Sequence, residues 1–168
     1  THIKWNPAVK TAEDRAGLWK ALLDDRIDII ATDHAPHTLD EKANVYTKAP
    51  SGGPLVQHAV LAILEKVKEN VLSIEKAVEK MCHNPAKIFK VEKRGFIKEG
   101  YYADLVLVDS NLAQAVSKEN VLYKCGWSPF EGVEFSSTIT HTFVNGNLMY
   151  DNGKFNEDIK GERLLFNR

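Results

Sequence analysis

An apolar, β-branched run, Ile27-Asp28-Ile29-Ile30-Ala31, stops abruptly at Thr32-Asp33-His34-Ala35-Pro36-His37, and this junction constrains the fold more than anything else in the chain. A short apolar run bounded by turn formers reads as a buried strand, here Ile27–Thr32. In parallel α/β barrels, catalytic groups stand at the edge where such strands open into polar loops. Asp33 is therefore placed as a metal ligand or a proton carrier, and His37 can face the same pocket. A plainer reading stands beside this one. Asp, His and Pro are ordinary turn formers, and Asp-His after a strand can simply cap the next element.

With 168 residues the chain has enough length for a real core. It is too short for a whole (β/α)8 barrel, which takes roughly 250 residues. Lys and Arg number 22 against 23 Asp and Glu, with no basic stripe and no long single-sign block, which argues against nucleic acid or a membrane surface as partner. No apolar run reaches the roughly 18 residues of a transmembrane helix. The start, Thr1-His2-Ile3-Lys4-Trp5-Asn6-Pro7, has neither the apolar centre of a signal peptide nor an initiator Met, so the chain is expected to begin mid-protein. Two cysteines, Cys82 and Cys125, make no disulfide framework, and a reducing cytoplasm is the expected compartment.

Along the chain, helical spacing over Thr11–Asp25 places Ala12, Ala16, Trp19, Leu22 and Leu23 together, with Thr11 as N-cap and Asp14 three places on. The polar loop Pro36–Pro54, with Ser51-Gly52-Gly53-Pro54, is long enough to suggest a functional loop or lid. A second helix is expected over Val56–Glu69. A third begins at Ser73 and runs through Met81, with Glu75 suiting its dipole. Pro85 then halts that helix or starts a short one, Ala86–Phe89. After Gly95 the period changes from helix to strand. Ala103–Asp109 reads as a strand, and Ser137–Tyr150 as a hairpin around Asn145-Gly146, with a further turn at Asn152-Gly153. Strand and helices come first and a small β unit second, dividing the chain into 1–92 and 93–168.

Several stretches resemble the carboxyl-terminal part of a class I dihydroorotase, within the amidohydrolase superfamily. They are Lys4-Trp5-Asn6-Pro7, Ala31-Thr32-Asp33-His34-Ala35-Pro36-His37 and Asn84-Pro85-Ala86-Lys87-Ile88-Phe89. Further matches are Gly95–Gly100, Ala103–Asp109 and Trp127-Ser128-Pro129-Phe130-Glu131-Gly132, so nearly the whole chain is covered. Asn84–Asp109 marks only the superfamily, whereas Asp-His-Ala-Pro-His with an Asn-Pro segment one helix upstream points to dihydroorotase.

The resemblance implies an α/β fold: the carboxyl-terminal part of a TIM-type (β/α)8 metallo-hydrolase barrel followed by a small β-sandwich segment. It implies that Asp33 binds zinc and moves the proton during reversible hydrolysis of dihydroorotate to N-carbamoyl-aspartate. It further implies that Asn6, His37 and the backbone of Ser51 and Gly52 hold the substrate. The other metal ligands of the family, and its substrate arginine, are expected before residue 1. The chain alone is therefore expected to bind no catalytic zinc and to be inactive without the amino-terminal part of the same protein. A homodimer is left open, as is closure of Pro36–Pro54 over the substrate.

The residues taken singly also have ordinary explanations. Asn6 before Pro7 suits an extended turn, and Ser51-Gly52-Gly53 a flexible one. His34 is read as structural, His58 and His83 as surface or satisfied helix histidines, and Trp127 and Phe130 as packing aromatics. The alternatives kept open are a dihydropyrimidinase- or allantoinase-type enzyme and a non-catalytic scaffold of the same fold.

Overall fold

A computed structural model describes residues 1–167. Helix α1 spans Ala12–Leu23 and begins where the sequence predicts: Thr11 Oγ1 accepts from the Asp14 N–H while the Asp14 carboxylate receives the Thr11 N–H. Such a reciprocal cap satisfies donors that no helix can satisfy internally. Of the apolar face expected on α1, only Leu22 is buried.

The run Ile27–Thr32 pairs with no strand among the described residues, and none of its six residues is buried, which corrects the expectation of a buried strand. A ladder needs a neighbour, and the partners of this run come instead from the helices that follow. Ile30 N–H donates to the Lys80 carbonyl at 3.1 Å. The buried Lys80 Nζ donates to the Ile27 carbonyl at 2.6 Å and to Asp25 Oδ1 at 2.9 Å, and Asn84 Nδ2 donates to the Asp28 carbonyl at 2.9 Å.

The loop after this run is not structureless. A one-turn helix α2, Leu39–Lys42, is capped by Thr38 and Glu41 in the same reciprocal way as α1. Helix α3, Ala59–Lys68, starts three residues later than expected and buries Leu61. Helix α4, Ile74–Val78, has the predicted Ser73 cap. It widens into one π-helical turn at Glu79–His83 before α5, Asn84–Ile88, where Pro85 sits in the first turn.

The β part follows as read. Strand β1, Leu105–Asp109, pairs antiparallel with β4, Thr138–Val144; β4 pairs with β5, Asn147–Asp151, and β5 with β6, Lys154–Phe155. Asn145 and Gly146 both hold positive φ, 52° and 80°, as a two-residue hairpin of the primed type demands. Strands β2, Gln114–Ala115, and β3, Glu134–Phe135, form a separate pair.

Segment 114–136 packs back onto the first half of the chain. Leu61 of α3, Val116 and Phe135 form the apolar centre, with Phe130 and Ile139 against it. The Gln57 side chain takes the Leu122 N–H and donates to the Asn120 carbonyl, both at 2.8 Å, while its own N–H reaches Tyr123 Oη. These contacts hold Gln57 and α3, just beyond the Pro36–Pro54 loop, against the later half of the chain.

Candidate active site

Asp33 stands at the end of the apolar run with φ of 45° and is exposed. A positive φ is uncommon for a residue with a side chain, although Asp tolerates it better than most. Its carboxylate takes no hydrogen bond and no ion pair from the described residues, and so remains available to a ligand.

The chain beyond Asp33 folds over the stretch 50–53. Ala35 N–H donates to the Gly53 carbonyl at 3.1 Å, and His37 Nε2 donates to the Ser51 carbonyl at 3.0 Å. A carbonyl can only accept, so Nε2 carries the proton; Nδ1 then faces Glu41 Oε2 at 3.8 Å. From behind, Trp127 Nε1 donates to the His37 carbonyl at 2.8 Å.

The amino-terminal stretch closes the other side. Gly52 N–H donates to the Lys4 carbonyl at 2.8 Å, and a Cβ on Gly53 would meet the Trp5 ring at 2.8 Å. Gly52, at φ 109°, has no room for a side chain either: a Cβ there would lie 2.5 Å from Ala35 Cβ. Asn6 follows Trp5, is exposed, and has no side-chain partner among the described residues. His37, Ser51 and Gly52 are thus in direct contact with one another or with Ala35, two residues from Asp33. Asn6 borders them through Lys4 and Trp5.

Sequence reasoning missed the group beneath this cluster. Lys42, at the end of α2, is fully buried, and its ammonium donates to the carbonyls of Gly52 at 2.8 Å, Pro50 at 2.9 Å and Lys4 at 3.4 Å. Burial, and secondarily the nearby Lys4, push its pKa down. Lys4 Nζ holds the same loop from outside, donating to the carbonyls of Tyr46 and Ala49, each at 2.6 Å. Nothing in Asp40-Glu41-Lys42 marks one lysine of a charged turn as interior. The Thr38–Glu41 spacing does, however, carry the cap of α2 legibly.

The other histidines have structural partners. His34 Nδ1 accepts from Leu55 N–H at 3.0 Å and Val56 N–H at 3.3 Å. Buried His58 pairs its Nδ1 with Ser128 Oγ at 3.2 Å and stacks on Phe135. His83 stacks on Phe96, ring centroids 4.3 Å apart. Among the described residues no three His, Cys, Asp or Glu side chains converge on a point where a metal ion could sit. Asp33 is a lone donor, and zinc coordination normally takes three or more protein ligands. The residues present do not make a zinc site by themselves.

Residues 7–149 match the model of the amidohydrolase family, and the chain belongs to that family. It is 40% identical to a dihydroorotase of Clostridium acetobutylicum over 152 residues, 90% of this chain and 36% of that protein. A dihydroorotase of Endomicrobium trichonymphae is 41% identical over 151 residues, 89% of this chain and 36% of the relative. Among solved structures, the L-hydantoinase (dihydropyrimidinase) of Arthrobacter aurescens superposes with a TM-score of 0.82 at 30% identity, covering 92% of this chain and 35% of its own. The chain thus spans a little over a third of the length of the proteins it matches. The fold class is α/β, that of part of an amidohydrolase barrel with its small β segment. No helix among the described residues is long and apolar enough to cross a membrane.

Proposed function

We propose that this chain is the carboxyl-terminal, substrate-facing part of a dihydroorotase, which hydrolyses the cyclic amide of dihydroorotate to N-carbamoyl-aspartate and reverses that reaction. The observation that carries this reading is the Asp33 carboxylate, unpartnered among the described residues, at the end of the apolar run, two residues from the contact cluster of Ala35, His37, Ser51 and Gly52. Asp33 takes the proton of the attacking water and returns it to the leaving ring nitrogen, a task suited to a carboxylate not already committed to an ion pair. Asn6 and the His37 side chain bind the substrate, and the backbone of Ser51 and Gly52 lies against it, with the Ser51 N–H the main-chain donor of this pair that no other described residue takes. In this reading residues 1–92 belong to the barrel and 93–168 to the β segment, supported by the absence of any helix after α5 among the described residues.

The amidohydrolase likeness implies zinc for the complete enzyme. Asp33 is the donor this chain offers, and the remaining donors come from the amino-terminal part of the same protein. The chain alone is accordingly inactive, and the complete enzyme works in the cytoplasm on a small-molecule substrate. The high identity to curated dihydroorotases favours dihydroorotate over related rings. The likeness to hydantoinases that are also named dihydropyrimidinase supports a second reading, a dihydropyrimidinase-type substrate. Assaying the complete protein on dihydroorotate, dihydrouracil and allantoin decides between them. Preferred turnover of dihydroorotate is expected, and preference for another ring overturns the assignment.

A further inference from the structure

The hydrogen bonds of residues 50–53 leave two groups over. All four carbonyls are taken: Pro50 and Gly52 by Lys42 Nζ, Ser51 by His37 Nε2, and Gly53 by Ala35 N–H. Gly52 N–H is taken by the Lys4 carbonyl. Ser51 N–H and Gly53 N–H have no acceptor among the described residues, although Gly53 is buried. Buried main-chain donors are nearly always paired, so an orphan of this kind points to a missing acceptor.

Lys42 accounts for where these donors point. Both peptide links, 50–51 and 52–53, are trans, the one cis bond among the described residues being Asn6–Pro7. In a planar trans peptide the carbonyl and the following N–H point in opposite directions. The ammonium that draws the Pro50 and Gly52 carbonyls inward therefore turns Ser51 N–H and Gly53 N–H away from itself. It also polarises both peptides, which strengthens the outward N–H as a donor. Lys42 has no carboxylate partner among the described residues. A methylene chain would fill the same interior at less desolvation cost, but it could not hold inward-turned carbonyls.

Resting on the dihydroorotase reading, we propose that Lys42 is a positioning residue that aims the N–H groups of Ser51 and Gly53 at a carbonyl or carboxylate oxygen of the substrate. Gly53 thereby joins the binding surface, and its missing side chain leaves the room that the Trp5 ring occupies.

Two measurements test this. In the ligand-free chain, Lys42→Met is expected to speed hydrogen exchange at Gly52 N–H at least tenfold while amides in α1 and α3 keep their protection. Unchanged exchange at Gly52, or an equal loss everywhere, overturns the positioning role whether or not the protein is an enzyme. In the complete protein without substitution, saturating dihydroorotate is expected to move the amide protons of Ser51 and Gly53 downfield more than that of Gly52. Turnover of dihydroorotate with both signals unmoved also overturns it. Lys42→Met in that protein should raise KM at least tenfold with a smaller change in kcat, and Lys42→Arg should recover part of the loss. A protein that neither binds nor turns over dihydroorotate refutes the functional reading, and the exchange measurement still judges Lys42.

Discussion

Trp127 donates its indole N–H to the main-chain carbonyl of His37 across 90 positions of sequence, at 2.8 Å, from a ring only 3% exposed. The bond ties the stretch after β2 to the loop that bears His37, whose own ring N–H holds Ser51. Trp127→Phe keeps most of the packing but orphans the His37 carbonyl, at a cost of about 1–3 kcal/mol. Trp127→Ala should cost about 3–5 kcal/mol. Urea unfolding of the two variants checks the order, and a Phe variant as stable as the parent would show that the bond contributes nothing.

Asp33→Asn should separate stability from chemistry. The carboxylate is exposed and unpartnered, and Asn tolerates positive φ, so the change in unfolding free energy should stay within about 0.5 kcal/mol. Loss of the proton carrier should lower kcat of the complete enzyme by about 10²–10⁴. Undiminished turnover would remove Asp33 from the proton path.

Gly52→Ala combines a forbidden conformation with a collision. At φ 109° an L side chain is strained, and its Cβ would lie 2.5 Å from that of Ala35. Destabilisation of about 1–3 kcal/mol is expected, together with weaker substrate binding. Thermal unfolding and KM of the complete enzyme measure both. A neutral substitution would mean that the Ala35–Gly52 contact is not held in solution.

Burial of His58 lowers its pKa below the ordinary 6.5. The unfolded chain therefore takes up a proton as pH falls through about 6.5, while the native imidazole stays neutral until a lower pH. The contribution of His58 is fully present above about pH 6.5 and is lost as pH falls towards and through the native value. Urea midpoints at pH 7.5 and 5 should diverge more for the parent than for His58→Gln. Equal divergence would assign the pH dependence elsewhere.

The caps and turns were legible because their causes are local. Thr11 with Asp14, Ser73, Pro85 and Asn145-Gly146 each act through neighbours within four residues, and each stands where the sequence puts it. The family likeness was legible for the same reason, since its motifs are contiguous. Ile27–Thr32 misled because apolar patterning records only a tendency to be covered: it supplies neither a neighbouring strand nor the layers that would bury the run. The π turn at Glu79–His83 and the buried end of α2 left no mark in periodicity.

By itself the sequence determined several caps and turns, the antiparallel strands after Gly95, and that Asp33 ends an apolar run before a polar loop. Only the tertiary structure decided that Lys42 lies under Ser51-Gly52, that Lys80 takes the place of a strand partner, and that Trp127 reaches His37. Local propensity is written in adjacent residues, whereas the satisfaction of buried carbonyls depends on which distant donor the fold brings within 3 Å, and no spacing in a linear chain records that.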